Sequence, residues 1–127
     1  MNIVPTLLAV AACGALGAGV RYLVGIWLGS NGGSFPLATF VVNITGCFLL
    51  GLLFFAPANF GSLSPQMRTA IATGFLGALT TFSTFSVETF ELIGKGNLGM
   101  AMVNLVGSIA VGLFAVWLGQ CAASWVH

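Results

Sequence analysis

The sequence predicts an all-α membrane protein with four transmembrane helices per subunit, the third of them broken, and three observations predict it. Charged residues are 4 % of the 127-residue chain and hydrophobic ones 58 %, whereas a soluble domain carries roughly 25 % charged residues. Arg21, Arg68, Lys95, Glu88 and Glu91 are too few to clothe a soluble surface, so the outside faces lipid. Four apolar windows each reach the roughly 20 residues that a helix needs to cross the hydrocarbon core. The third of these windows carries a cluster of hydroxyl residues at mid-membrane depth. By length the chain is one domain, a single four-span unit over residues 1–127.

The first window, residues 4–28, follows Met1-Asn2-Ile3-Val4-Pro5, which lacks a signal peptide's positive flank, and it is too long for a signal's apolar core. It is a mature span. Gly29-Ser30-Asn31-Gly32-Gly33-Ser34 ends it, because glycine loses backbone entropy in a helix and Asn and Ser compete for backbone hydrogen bonds. The second span, residues 37–55, follows Pro36, which suits a helix N-terminus. Pro57, Asn59, Gly61, Ser62, Ser64 and Pro65 make the next loop. The third span covers residues 67–93, Gly94-Lys95-Gly96-Asn97 turns the chain, and the fourth span covers residues 98–118. An even number of spans puts both termini on one side.

Many of the 18 glycines lie within the spans, where small residues let helix backbones approach closely in a solvent that offers little hydrophobic drive. Ala11, Ala15 and Gly19 in the first span have small-xxx-small spacing and are expected at a helix contact. Cys13, Cys47 and Cys121 sit singly in apolar stretches with no metal-ligand spacing, and read as small hydrophobes rather than a disulfide framework.

Orientation follows the Lys/Arg difference between the two faces. Arg68 stands on the face of the N-terminus, while Lys95 and the leaning Arg21 stand on the other, which is close to a tie. A tie predicts insertion in both orientations and an antiparallel, dual-topology homodimer. Four helices also form too thin a bundle to enclose a water-filled path alone.

Within the third span, Thr80-Thr81-Phe82-Ser83-Thr84-Phe85-Ser86 holds five hydroxyl residues and two phenylalanines, just after Gly77. Helix propensity falls there. Open backbone at membrane depth is tolerated only where protein or a cavity satisfies it. A discontinuous helix exposes carbonyls that bind a cation and amides that favour an anion. Phe82 and Phe85 share a face if the second half is helical, and a ring's positive edge can meet an anion without a trapping charge. Thr39, Asn43 and Gly46 lie on one face of the second span; Asn104, Ser108 and Gly112 form a stripe on the fourth. Arg21 and Glu88 are the charges deepest within spans, where such groups face the interior or water. Glu91 and Lys95 are a surface pair.

These residues resemble the Fluc, or CrcB, family of fluoride channels. The likeness covers essentially the whole chain. It rests above all on Gly74-x-x-Gly77-x-x-Thr80-Thr81-Phe82-Ser83-Thr84-Phe85, supported by Thr39-x-x-x-Asn43-x-x-Gly46 and by Gly14-Ala15 followed by Arg21-Tyr22. The resemblance implies an antiparallel homodimer with two fluoride pores in the plasma membrane, the bacterial inner membrane, mediating passive fluoride export. It implies a structural sodium ion at the dimer interface, held by backbone carbonyls matching Gly77 and Thr80 of both subunits. Asn43, Phe82 and Phe85 match anion-path residues, Ser108 matches a polar-track serine, and Asn104 stands where the family often has Tyr. The hydroxyls of Ser83 and Thr84 join the expected fluoride path, with Arg21, Thr39 and Glu88 as vestibule or electrostatic residues.

Other classes fit less well. A proton-coupled small multidrug exporter, the alternative, needs an acidic residue in the first span, and none is there. Nucleic acid is excluded as a partner by the absence of any basic run. An enzyme is excluded because the single histidine is terminal and no nucleophile-base set can form within the spans.

Overall fold

The computed structural model describes residues 3–29, 35–57 and 63–125. Helix α1 is Ile3–Gly29 and α2 is Leu37–Phe55. Helix α3, residues 65–79, is a composite: an α-helical turn Pro65–Thr69, a π-helical stretch Ala70–Leu76 and a last α-helical turn Gly77–Leu79. Helix α4 is Phe82–Gly94 and α5 is Leu98–Ser124. No strand occurs among the described residues. With Pro65–Gly94 taken as one crossing, four segments are long and apolar enough to span a membrane. The segments 30–34 and 58–62, expected as loops, lie outside the described residues, as does His127.

Local chemistry explains the ends. Pro36 precedes α2 at its N-cap position. Ser64 caps α3, its hydroxyl accepting from the Met67 N–H at 3.2 Å, with Pro65 at the first helical position where its missing N–H costs nothing. At the end of α4, Gly96 takes φ +75°, which glycine adopts without a Cβ penalty. The Asn97 N–H then reaches back to the Leu92 carbonyl at 2.9 Å, the Schellman closure. Asn97 in turn caps α5 by accepting from the Met100 N–H at 3.2 Å. Glu91 and Lys95 meet at 3.5 Å as an exposed i,i+4 pair, of the kind worth a few tenths of a kcal/mol.

Glycines set the helix contacts. A Cβ on Gly17 would lie 2.2 Å from the Phe75 carbonyl oxygen, and one on Gly74 would lie 2.5 Å from that of Val10. These contacts join α1 to the π-helical stretch of α3. A Cβ on Gly119 would meet the Phe48 carbonyl oxygen at 2.2 Å, and one on Gly51 the Val116 carbonyl oxygen at 2.5 Å, so α2 and α5 touch backbone to backbone. The helix of the fourth span continues to Ser124, beyond the expected 118. Ala11, Ala15 and Gly19, expected at a contact, are exposed within the chain, and the packed face of α1 is instead that of Gly14 and Gly17. The core at mid-bundle is Val42, Leu76 and Leu79, with Val24, Leu49, Ile71 and Phe75 packed around it. The three cysteines are free thiols, Cys13 lying beneath Gly74 and Cys47 beside Gly112.

Arg68 is more than a boundary charge. Its Nη2 donates to the carbonyls of Leu53 at 3.0 Å and Ala56 at 3.1 Å, at the C-terminal end of α2 where carbonyls lack helical partners. Charged hydrogen bonds of this kind contribute roughly 1.5–3 kcal/mol. Arg68→Ala is therefore expected to lower the thermal unfolding midpoint in detergent by the equivalent of about 2 kcal/mol. An unchanged midpoint would remove this role.

Candidate functional site

Between α3 and α4 the backbone leaves the helix for two residues. Thr80 has φ −84° and ψ 156°, and Thr81 has φ −151° and ψ 120°. Reduced helix propensity was expected from Thr80 to Ser86, yet Phe82 to Ser86 are helical and only the two threonines are extended. Side-chain competition explains where the line falls. The Thr80 hydroxyl donates back to the Leu76 carbonyl at 3.0 Å, ending one half. The Thr81 hydroxyl accepts from the Thr84 N–H at 3.2 Å, starting the next as an N-cap.

The extended pair is held from two other helices. Asn43 on α2 grips Thr81 as a neighbouring strand would: its Oδ1 accepts from the Thr81 N–H at 2.8 Å, and its Nδ2 donates to the Thr81 carbonyl at 3.1 Å. Both polar groups of an extended residue are thereby satisfied by protein, as open backbone at membrane depth requires. Arg21 on α1 donates from Nη1 to the Thr80 carbonyl at 3.4 Å. Gly46, one turn beyond Asn43, leaves room for Thr80, whose Cγ2 would lie 2.1 Å from a Cβ there.

Asn43, Gly77, Thr80, Phe82, Phe85 and Ser108 all border one open groove of about 830 Å³, together with Thr81, Ser86 and Thr89. None of the groove's lining residues is charged. The Phe82 and Phe85 rings lie 5.9 Å apart at 40°. Phe85 is buried, but Phe82 is 80 % exposed and points away from its own chain.

The remaining candidates fall elsewhere. Ser83 and Thr84 belong to the N-cap of α4: the Thr81 hydroxyl donates to that of Thr84 at 3.0 Å and lies 3.4 Å from that of Ser83. Thr39 donates to Glu88 Oε1 at 2.7 Å, and Oε2 is buried with no hydrogen-bond partner among the described residues. Glu88 borders a second cavity, about 410 Å³, at the end of the bundle with Phe35, Pro36, Glu91 and Lys95. Asn104 is 1 % exposed and turned away from the groove, its Nδ2 donating to Thr89 Oγ1 at 2.9 Å. Ser108, on the groove wall, reaches Asn104 Oδ1 at 3.4 Å.

Sequence reasoning missed Thr81 as the residue that Asn43 holds, and Thr89 as the partner of Asn104. Thr81 was within reach of it, because a hydroxyl residue three before Thr84 at a break is an N-cap pattern. Thr89 carries no such signal. No cluster of His, Cys, Asp or Glu able to hold a metal occurs among the described residues. The groove is mostly apolar, with the Asn43 amide, the opened backbone at Thr80 and Thr81, a few hydroxyls and the two phenylalanine rings as its polar or polarisable features.

Comparison with known proteins bears on the same residues. Positions 8–120 match the family described as CrcB-like protein, Camphor Resistance (CrcB). A protein of Acidobacterium capsulatum named fluoride-specific ion channel FluC is 50 % identical over 112 residues, covering 87 % of this chain and 90 % of the relative. One of the same name from Geotalea daltonii is 44 % identical over 122 residues, 95 % of this chain and 98 % of the relative. Another from Shewanella halifaxensis is 46 % identical over 115 residues, 90 % and 92 %. The match overlaps every helix and contains both threonines of the interruption and all the groove residues, and the chain belongs to the CrcB-like family.

Proposed function

We propose that the protein is a fluoride-selective channel of the bacterial plasma membrane that lets fluoride leave the cytoplasm passively. The observation that carries this reading is the uncharged groove at membrane depth, onto which an opened backbone, the Asn43 amide and the Phe82 and Phe85 rings converge. Relatives that cover nearly its whole length bear the name fluoride-specific ion channel. Fluoride is small and strongly hydrated, so its path must replace water with donors. Asn43 commits one amide N–H to Thr81 and has a second to offer, and the rings add positive edges; the hydroxyl of Ser108 stands on the same wall with its proton on Asn104. Hydrogen fluoride entering from acidic surroundings dissociates inside, and the anion leaves by this route. The exporter reading lacks its essential group, since α1 contains neither Asp nor Glu.

The working unit is an antiparallel homodimer. Phe82 is exposed and the groove is open along one side, so a single chain supplies one wall of a path. A second, inverted copy closes it through a self-complementary interface. The near-tie of basic residues across the two faces supports insertion in both orientations.

A structural sodium ion belongs at that interface. Gly77 and Thr80 border the same groove, and the extended conformation of Thr80 frees its carbonyl from the helical ladder. Two carbonyls cannot surround a hard cation, whereas two copies supply four oxygens. The residues fit: the Arg21 contact to the Thr80 carbonyl is long, and a carbonyl oxygen has a second lone pair to give. The ion would supply fixed positive charge beside both paths.

Purified protein in liposomes, read with fluoride and chloride electrodes, tests the reading. Rapid fluoride release without chloride release is expected; drug-driven proton uptake without fluoride release would overturn it. Phe82→Ile removes a ring edge and is expected to slow fluoride release roughly tenfold, equivalent to about 1.4 kcal/mol at the barrier, with the dimer intact. Wild-type release from that variant would remove the ring from the mechanism.

A further inference from the structure

We infer that Thr89 is a positioning residue for the ion path, holding Phe85 on α4 in register with Ser108 on α5 through the buried amide of Asn104. The inference rests on the channel reading above and adds to it a residue whose hydroxyl bonds both go to protein. Thr89 lies one turn after Phe85, and its hydroxyl donates to the Phe85 carbonyl at 2.7 Å. The same oxygen accepts from Asn104 Nδ2 at 2.9 Å, while Asn104 Oδ1 receives the Ser108 hydroxyl at 3.4 Å. Three hydrogen bonds thus run in one direction from Ser108 to the backbone of Phe85.

Asn104 is the largest side chain fully enclosed among the described residues, so each polar atom it carries must be answered by protein. Its two visible partners, Thr89 and Ser108, both border the groove on different helices. The amide therefore works as a spacer between two walls, not as a ligand to the ion. Only a hydroxyl at position 89 can donate to a carbonyl and accept from an amide with one atom. Valine there has the shape of threonine but leaves the Asn104 N–H unpaired, at the full desolvation cost of a buried donor. The two helices would then shift relative to each other, and with them the Phe85 ring against the Ser108 hydroxyl.

The test is fluoride release from liposomes by wild type, Thr89→Val, Thr89→Ser, Asn104→Leu and the double variant T89V/N104L, each checked as a dimer by size exclusion. Thr89→Val and Asn104→Leu are expected to slow release about tenfold. Thr89→Ser, which keeps both bonds, is expected to stay near the wild-type rate. The double variant is expected to be no slower than Thr89→Val alone, because the two side chains act as one unit. Wild-type release by Thr89→Val, failure of Thr89→Ser to rescue, or multiplying losses in the double variant would each overturn the inference and leave the channel reading standing. If Thr89→Val does not assemble, Asn104→Leu decides: slowed release supports the link and wild-type release overturns it. A wild-type protein that releases no fluoride overturns both readings.

Discussion

Asn43→Leu is expected to reduce fluoride release per folded dimer by roughly a hundredfold or more, since a loss of about 2.7 kcal/mol at the barrier already gives that factor. The reason lies in the two bonds that Asn43 makes to Thr81, one to its N–H at 2.8 Å and one from its own amide to the carbonyl at 3.1 Å. Leucine fills the volume and answers neither group. An unpaired buried group costs about 1–3 kcal/mol, and these two are part-buried on the wall of the groove, so each costs up to that amount. The extended pair would then fold back into helix or the segment would lose its fixed form. Asn43→Asp separates the effects. It keeps an acceptor for the Thr81 N–H, loses the donor to the carbonyl and sets a negative charge in an anion's path. It is expected to slow release while leaving the dimer intact, and to unfold at a higher temperature than Asn43→Leu. Release at the wild-type rate from both variants would remove Asn43 from both its roles.

The second large effect concerns folding. Gly17→Val places a Cβ 2.2 Å from the Phe75 carbonyl oxygen and 3.0 Å from its carbon, and backbone atoms in a helix cannot step aside as a side-chain tip can. Overpacking of this kind costs about 1–3 kcal/mol and more where backbone must move. The three carbons that valine adds at such a site are expected to abolish monodisperse protein in detergent. Gly119→Val is expected to do the same at the contact of α2 with α5, where a Cβ would lie 2.2 Å from the Phe48 carbonyl oxygen. Gly99→Ala is the control: nothing lies within 4 Å of a Cβ there, and the higher helix propensity of alanine leaves stability unchanged or slightly raised. Equal behaviour of the three variants on size exclusion would mean that the helices do not meet through these glycines.

The pattern of success along the chain follows the range of the forces involved. The four crossings are legible because a chain with five charged side chains has no other way to meet water and lipid, and hydropathy is a local property. The face of Thr39, Asn43 and Gly46 is legible for a related reason. On an otherwise apolar helix a polar stripe must turn inward, and all three residues meet α3, α4 or the segment between them. The contact face of α1 was not legible. From Leu7 to Val20 that helix is apolar or small all round, and the row Ala11, Ala15, Gly19 differs from Gly14 and Gly17, which pack within the chain, only by a rotation about the helix axis that no hydropathy pattern reports. The π-helical stretch Ala70–Leu76 was invisible for the same kind of reason: its residues suit an α-helix, and the wider turn sits where Gly74 meets the backbone of α1. The bond from Asn104 to Thr89 joins helices across a turn and depends on how α4 and α5 lean together, which neither residue encodes alone.

A density map of the protein reconstituted in lipid nanodiscs would show whether two chains inserted head to tail share the seam opened at Thr80 and Thr81. A two-fold axis in the membrane plane is expected, with both extended pairs facing each other across it and the Asn43 side chain against Thr81 in each copy. Two copies crossing in the same direction, or an unbroken helix through both threonines, would contradict it.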